Sequence, residues 1–521
     1  MGIFKNKKTL IIAEIIIFCI LAFLVGSAQT VSPFHEDLNL IDEGQFAAWA
    51  NLMLHGKMMF RDMYIVYGPL FVYPIYLLFK IFSPTAFMVR VFLNFGSIVG
   101  IIILNLIMLD LKIKRFGRYL LNFLMILLPI LTLRQAIGWI SIYLLILIIT
   151  KKNLFYSFLT GISISATFLI SPELGIIVGA FTLLYYVFLL ISDLNGIRIL
   201  KSFFVWIVGL FIPLIIFSLW SYKEGWFLSY LVNTKSVLVD FSGINVPNGQ
   251  NIPDIFALLP TKFSIFGWLK FLFSKEIYVY YTIIIHIFLL IYLTVRRILN
   301  LKLEDDKIIF IILMYGISFL YLYIGRPDFG HLFFGLSPVL LILIYYFDKN
   351  IKMATKLPNL AVSLIILLYF LRLIYVNHPQ IQKIIDIPSA IVSKPVNPEF
   401  VGPILISNSQ KNFFLDLQGY MNKNSNKNDN IFIFTDEPML YLILNRNNAT
   451  RYVLPYAANT ISMRLDLINS LIVNKPKFIL IDNKAWAVDG INNEVRLPEV
   501  IKYIKSNYKE VENVDGISIF K

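Results

Sequence analysis

The sequence predicts a mainly α-helical, polytopic transmembrane bundle that is followed by a small α/β domain. Three observations support this fold class. Of the 521 residues, 58% are hydrophobic and only 15% are charged, which is less charge than a water-soluble chain carries. Apolar runs recur through the first 376 residues, and many are long enough to cross the ~30 Å hydrocarbon layer as helices. After about residue 400, short β-rich runs alternate with helical stretches.

About eleven spans are predicted, and the loops between them indicate an orientation. With the N-terminus in the cytoplasm, the inward loops hold most of the cations, and the short outward loops hold few. We therefore expect a multi-pass plasma-membrane protein with membrane lipids around it and no nucleic-acid partner. The first apolar run is expected to remain as a signal anchor. The predicted spans lie near 9–30, 85–110, 117–133, 136–150, 153–171, 173–192, 200–222, 276–296, 307–325, 331–347 and 357–376.

The predicted domains divide the chain near residue 377. The transmembrane domain, 1–376, has two long outward loops, 31–84 and 223–275. Within the first loop, 67–82 is apolar but contains two prolines, which favours a helix at the membrane interface over a full span. The remainder, 377–521, is predicted to be an extracytoplasmic α/β domain with a mostly parallel sheet, because strands such as "KFILID" alternate with helices.

Charged side chains near a bilayer are costly, so they usually face protein or water and have a function. In the predicted topology a set of polar residues shares the outward side, although many spans separate its first members from its last. Ordinary solvated or paired loop charges would explain each residue taken singly. The set comprises Asp37, Asp42, Glu43, Lys57, Arg61, Asp62, Arg134, Glu173, Arg326, Asp328 and His331.

Metal and cofactor signatures are not found in the sequence. The five histidines show no ligand spacing, and no glycine-rich phosphate-binding motif is present. The single cysteine, Cys19, excludes an internal disulfide. We therefore expect no metal and no cofactor.

The first outward loop carries a recognisable pattern, "DEGQFAAWANLMLHGKMMFRDMYIVYGPL". It has an Asp-Glu pair soon after the first span, a helix expected to be amphipathic, and then "FRD" and "YGPL". Three further stretches follow: "AFMVRVF" at the start of the next span, "SPELG" at 171–175 and "GRPDFGH" at 325–331. Together these features resemble the GT-C glycosyltransferases, polytopic enzymes that take a sugar from a polyprenyl-phosphate donor.

The resemblance implies a chemistry for the loop. The first-loop acid of that family acts as the catalytic base, which would fall on Asp42, and Glu43 would either orient Asp42 or be the base itself. Cations at the interface would hold the donor phosphate, and Arg is suited to this through bidentate contacts. The candidates are Arg61, Arg134 and Arg326, with Lys57 and His331 behind them. The sugar linkage would be inverted by a single displacement.

Structural roles stay open for several candidates. Asp62 would cap a helix or pair with Arg61, and Glu173 lies at a helix start where an acid is favoured anyway. The acceptor would be a glycan, a lipid or a protein. A transporter or flippase for lipid-linked saccharides is one alternative, and an inactive scaffold of a cell-envelope glycan assembly complex is another. A transporter would carry charges or broken helices near the middle of its spans, whereas most spans here are apolar inside.

Overall fold

The structure is a computed structural model of the chain. It describes residues 7–26, 32–128, 130–192, 196–240, 259–260, 264–272, 274–298, 305–325, 329–351, 357–376, 379–392 and 395–521.

Helices occur at all eleven predicted spans. The first sixteen helices are α1 (Lys7–Val25), α2 (Asp42–Leu54), α3 (Pro69–Ile81), α4 (Ala86–Asp110), α5 (Arg115–Leu127), α6 (Leu133–Lys151), α7 (Leu154–Ile170), α8 (Pro172–Ser192), α9 (Gly196–Lys223), α10 (Phe227–Val239), α11 (Ile265–Leu272), α12 (Lys275–Ile298), α13 (Asp306–Gly325), α14 (Phe329–Ile351), α15 (Leu357–Val376) and α16 (Pro379–Val392). The predicted spans correspond to α1, α4 to α9 and α12 to α15. Among the described residues, α1, α4, α6 and α9 are both long enough and apolar enough to cross a membrane.

Small and polar residues hold the bundle together. A Cβ on Gly161 of α7 would lie only 2.3 Å from the Trp206 carbonyl oxygen of α9, so these two helices approach at backbone distance. Such contacts replace the hydrophobic driving force that is missing between helices in lipid. Asn105 of α4 and Asn122 of α5 exchange two amide hydrogen bonds, of 2.9 and 3.2 Å, inside the bundle.

The helix α2 is buried on all sides rather than amphipathic. Every residue from Glu43 to Leu52 is buried. The sequence favoured an amphipathic helix because Ala47, Ala50 and Leu54 repeat at helical spacing. The structure differs because α3 and α4 cover one side of α2 and the C-terminal domain covers the other.

The C-terminal domain has the predicted α/β architecture, but its sheet is mixed. Its helices are α17 (Asn408–Asn424), α18 (Met439–Ile443), α19 (Ile461–Asn474), α20 (Asn493–Arg496) and α21 (Pro498–Asn507), and its strands are β1 (Asn430–Ile433), β2 (Asn447–Asn448), β3 (Phe478–Asp482), β4 (Glu510–Val514) and β5 (Ile517–Phe520). The strand order is β2-β1-β3-β5-β4. Pairing is parallel from β2 to β3 and antiparallel from β3 to β4.

The expectation of a mostly parallel sheet is wrong, because β3, β5 and β4 pair antiparallel. Strand β4 was missed because it is polar and largely exposed, so it shows no buried β-rich pattern. Asp515 and Gly516 both have positive φ and form the tight turn between β4 and β5. An Asp-Gly pair is a strong hairpin signal, and it would have revealed the extra strand.

The C-terminal domain and the first loop share one core. A backbone bridge pairs His35 with Leu405, and the Gln410 side chain bonds both the N–H and the carbonyl of Leu38. Ser407 donates its N–H and its hydroxyl to the Asp37 carboxylate. The end of the bundle covered by this domain is called the domain face below. The division of the chain near residue 377 stays a prediction.

Candidate functional site

Asp42 lies at the first position of α2 and is exposed on the domain face. Asn39 fixes this helix start, because its side-chain oxygen accepts the N–H groups of Ile41 and Asp42 at 3.0 and 2.8 Å. The Asn39 amide also donates to the Asp42 carboxylate at 3.1 Å. A helix N-terminus favours a negative charge, so Asp42 is held as an accessible carboxylate.

Glu43, the next residue, has the opposite environment. Its side chain is 0% exposed, and both of its carboxylate oxygens accept from Arg90 Nε at 3.0 and 3.1 Å. The remaining N–H groups of Arg90 donate to backbone carbonyls of the segment that precedes α2. These carbonyls belong to Ser32, His35, Glu36 and Asp37. The pair therefore anchors the loop to α4 and orients the first turn of α2.

A second carboxylate–guanidinium pair lies where α6 and α8 begin. Arg134 donates to Glu173 and, at 3.0 Å, to the Ser171 hydroxyl, which itself donates to Glu173 at 2.6 Å. This pair is partly open: the Arg134 side chain is 10% exposed and that of Glu173 is 22% exposed. The second carboxylate oxygen of Glu173 is buried and has no hydrogen-bond partner among the described residues.

The first loop reaches this second pair through Tyr67 and Gly68. The Arg134 guanidinium lies over the Tyr67 ring, 5.2 Å from its centroid. Gly68 donates its N–H to the Ile170 carbonyl, and a Cβ at this position would lie 2.1 Å from the Leu169 oxygen. Only glycine allows the loop to approach this closely, so "YGPL" places the Tyr67 ring against Arg134.

Aromatic contacts join α2 to Arg134. Phe46 lies one helical turn after Asp42, and its ring centroid is 5.2 Å from that of Tyr67. Tyr67 in turn packs against Arg134. The helix that begins with Asp42 is thereby connected through Phe46 and Tyr67 to the Arg134–Glu173 pair.

Lys57, Arg61 and Asp62 lie beyond the far end of α2, and the helix itself spans about 18 Å. Arg61 forms a two-pronged pair with Asp62 through Nε and Nη2, at 2.9 and 3.0 Å. Burial of Asp62 opposes its ionisation, but hydrogen bonds from Arg61 and from the Met58 N–H outweigh it and lower the pKa of this carboxyl. The sequence-based expectation that Asp62 pairs with Arg61 agrees with this geometry.

Three further candidates cannot be placed with the others. Arg326 and Asp328 lie outside the described residues. For His331 the description covers the backbone of α14 and not the side chain. Among the described residues, no group of three or more His, Cys, Asp or Glu side chains could hold a metal ion.

Sequence reasoning assigned no role to Arg90, Tyr67 or Ser171. Arg90 had a usable signal, because it is the only charged residue between Ala86 and Leu109, and a charge inside a span usually has a partner. Tyr67 and Ser171 had no such signal. Their roles come from the loop contact at Gly68.

The helices define a multi-pass membrane protein, and comparison with known proteins refines this class. No protein family and no curated protein matches the sequence. The chain is similar to the solved structure of ArnT from Cupriavidus metallidurans bound to undecaprenyl phosphate, with a TM-score of 0.51 and 11% identity over 98% of this chain and 97% of that chain. ArnT from the same organism in the apo state gives a TM-score of 0.47 at 11% identity over the same shares. The chain therefore has an ArnT-like polytopic fold, which confirms the predicted fold class of a transmembrane helical bundle with a small α/β domain.

Proposed function

We propose that this chain is a membrane glycosyltransferase that moves a hexosyl or pentosyl group from a polyprenyl-phosphate donor to an acceptor hydroxyl. The observation that carries the proposal is the arrangement of Asp42 on the domain face. Its carboxylate is exposed, its helix is anchored by the buried Glu43–Arg90 pair, and aromatic contacts connect that helix to Arg134. The likeness in fold to a protein bound to undecaprenyl phosphate supports this choice of donor class.

The proposed reaction is a single displacement with Asp42 as the general base. The Asp42 carboxylate takes the proton of the acceptor hydroxyl as its oxygen forms a bond to the anomeric carbon. The bond from that carbon to the phosphate oxygen breaks, and the phosphate leaves with the electron pair. Attack opposite the leaving group inverts the anomeric configuration. The phosphate is a good leaving group, so the reaction needs no general acid.

Arg134 is the proposed contact for the donor phosphate, and Glu43 is a positioning residue rather than the base. A guanidinium binds phosphate oxygens through two parallel hydrogen bonds. Glu43 is fully buried on Arg90, so it cannot reach an acceptor while the loop keeps its structure. Lys57, Arg61, Arg326 and His331 remain candidates for outer contacts to the donor, and the acceptor is a glycan, a lipid or a protein.

The domain face is proposed to be extracytoplasmic, with the N-terminus in the cytoplasm. Exposed cations concentrate at the opposite end of the bundle, where α4 ends and α5 begins and where α6 ends, as the positive-inside rule expects of the cytoplasmic side. The exposed residues at that end are Lys112, Lys114, Arg115, Lys151 and Lys152.

Asp42→Asn tests the function and the base together, because Asn is nearly isosteric but cannot take a proton. We expect release of polyprenyl phosphate from hexosyl and pentosyl donors to fall by ~10²–10⁴-fold, with normal expression. Asp416→Asn, an exposed acid on α17, is the matched control and should keep full activity. The assay uses sealed right-side-out vesicles with donor added outside.

A wild-type rate in the Asp42→Asn variant would show that Asp42 is not the base. Transfer that appears only after the vesicles are opened would place the domain face in the cytoplasm. A flippase would move the donor across the membrane without consuming it.

A further inference from the structure

Three acidic residues lie at the carboxyl end of the parallel strands, next to the turn that leads into α18. Asp436 and Glu437 lie in the turn that joins β1 to α18, and Asp482 ends β3. Asp436 is 5% exposed and Glu437 is 6% exposed. Because β1 is flanked by β2 on one side and β3 on the other, the chain reverses its strand order at this edge.

Two of these carboxyl groups accept hydrogen bonds, and the third acts on one of them through its charge. The Thr435 hydroxyl donates to Glu437 at 3.1 Å. Asp436 accepts the Tyr456 N–H at 3.1 Å. The negative charge of Asp482 acts on the buried Glu437 carboxyl and favours a proton on Glu437.

The surroundings of the cluster favour retention of protons on Asp436 and Glu437. Burial raises the pKa of Asp436 to about 7, because the hydrogen bonds and the nearby Arg496 only partly offset the loss of solvent. Burial, followed by the charge of Asp482, raises the pKa of Glu437 well above its ordinary range. On the far side of α18, α2 presents Asp42 and the internally paired Glu43. Arg496 is the cation that acts on Asp436, and Lys484 follows Asp482 and donates its backbone N–H to that carboxylate at 2.7 Å.

Helix α18 is in direct backbone contact with the first turn of α2. Met439, two residues after Glu437, donates its N–H to the Leu40 carbonyl at 3.1 Å. A Cβ on Gly44 would lie 2.4 Å from the Met439 nitrogen, so the two backbones touch without an intervening side chain. Asn51 donates to the Tyr441 carbonyl at 3.2 Å, which fixes the other end of the contact.

We propose that Asp436, Glu437 and Asp482 form a positioning device for Asp42, in which the protonated cluster holds α18 against α2. The inference rests on the proposed role of Asp42 as the base. Loss of the protons buries like charges side by side, which displaces the turn before α18. Because the backbones of Gly44 and Met439 are in direct contact, movement of α18 also displaces α2 and Asp42.

The pH dependence has a defined sign. The pKa values of Asp436 and Glu437 in the closed contact lie above those of a solvated carboxyl group, so the closed contact binds more protons than the loosened one. The contact is therefore most stable at low pH and weakens as the pH rises towards about 7 and above. Each retained proton changes the opening equilibrium by up to about tenfold per pH unit.

Hydrogen–deuterium exchange of the full-length protein, corrected for intrinsic pH effects, tests this from about pH 5 to about pH 8. In the wild type, protection of residues 38–46 and 436–444 should fall with pH. In an Asp436→Asn, Glu437→Gln double variant, which keeps the neutral form of both groups, protection should stay flat. Glu510→Gln, an exposed acid on β4, is the control and should behave like the wild type. Equal slopes in the wild type and the double variant would overturn the proposal.

The pH profile of kcat adds a second readout. The double variant should keep its rate at high pH where the wild type declines, with KM for the donor unchanged. Profiles that coincide despite the expected exchange pattern would show that the cluster does not position Asp42. If the wild type transfers no sugar at any pH, the proposed function fails, and exchange of residues 38–46 alone decides whether the cluster positions α2.

Discussion

Two carboxylate–guanidinium pairs on the domain face differ in what surrounds them. Glu43 and Arg90, between α2 and α4, are both 0% exposed, and the N–H groups of Arg90 that Glu43 does not use reach backbone carbonyls. Arg134 and Glu173, at the starts of α6 and α8, are partly open, and one Glu173 oxygen has no hydrogen-bond partner among the described residues. The first pair is fully enclosed, whereas the second reaches the surface at its edge.

The difference shows how complete burial of one pair fixes the loop around it. A buried ion pair is stable only when every donor is satisfied, which fixes the geometry around it. An exposed acid one residue away can then be held in a single orientation while it stays accessible. Glu43 and Asp42 divide these tasks between them.

The largest expected effect is a loss of stability when the buried Glu43–Arg90 pair is broken. Glu43→Gln leaves the Arg90 charge buried without its carboxylate, and loss of one partner in such a pair typically costs about 3–5 kcal/mol. We expect a strongly lowered Tm and reduced expression. A Glu43→Leu, Arg90→Met double variant should regain part of that stability, because it removes both charges.

The structural role of the Glu43–Arg90 pair would be contradicted if Glu43→Gln kept the wild-type Tm and abolished transfer. In that case Glu43 would act chemically, and it would replace Asp42 as the candidate base.

Substitution in the Arg134–Glu173 pair should change donor affinity rather than stability. Arg134→Lys keeps the charge but loses the planar fork and its packing on Tyr67, so we expect donor affinity to fall by roughly tenfold. The Tm should change little because lysine keeps a positive charge beside Glu173. Equilibrium binding of undecaprenyl phosphate to the purified protein measures the change.

Arg115→Lys, an exposed arginine at the opposite end of the bundle, is the matched control for Arg134→Lys. Undiminished donor affinity in the Arg134 variant would move the phosphate contact to Arg61 or Arg326.

The smallest expected effect concerns the ring beneath Arg134. Tyr67→Leu removes a cation–π contact of about 0.5–1 kcal/mol, which corresponds to roughly two- to fivefold in donor affinity. Tyr67→Phe keeps the ring and should bind like the wild type. If Phe and Leu weaken binding equally, the Tyr67 hydroxyl rather than the ring supports the site.

Much of the fold follows from local sequence features. Spans such as 85–110 and 357–376 coincide with helices within a residue or so, because a run of apolar residues in lipid must satisfy its backbone hydrogen bonds internally. The buried strands β1, β3 and β5 were predicted because each is a short, apolar, β-rich run. Strand β4 was not predicted, because it is polar and is positioned by its pairing with β5 across the turn at Asp515 and Gly516.

The candidate site was predictable only in part. The first loop could be singled out because charges beside a bilayer are rare and carry a cost. The cations Lys57 and Arg61 belong to the same loop as Asp42, but they follow α2 and lie beyond its other end. Helical rise, rather than sequence proximity, sets that separation.

The sequence by itself determined that the chain spans a membrane, where its helices run, and that the acids and cations of the first loop are unusual. Only the tertiary structure showed that Asp42 is exposed and that Glu43 is buried. Neighbouring residues on a helix point about 100° apart, so one can face solvent while the other is buried. Which one is buried depends on α4 and α18, whose residues lie about 50 and 400 positions further along the chain.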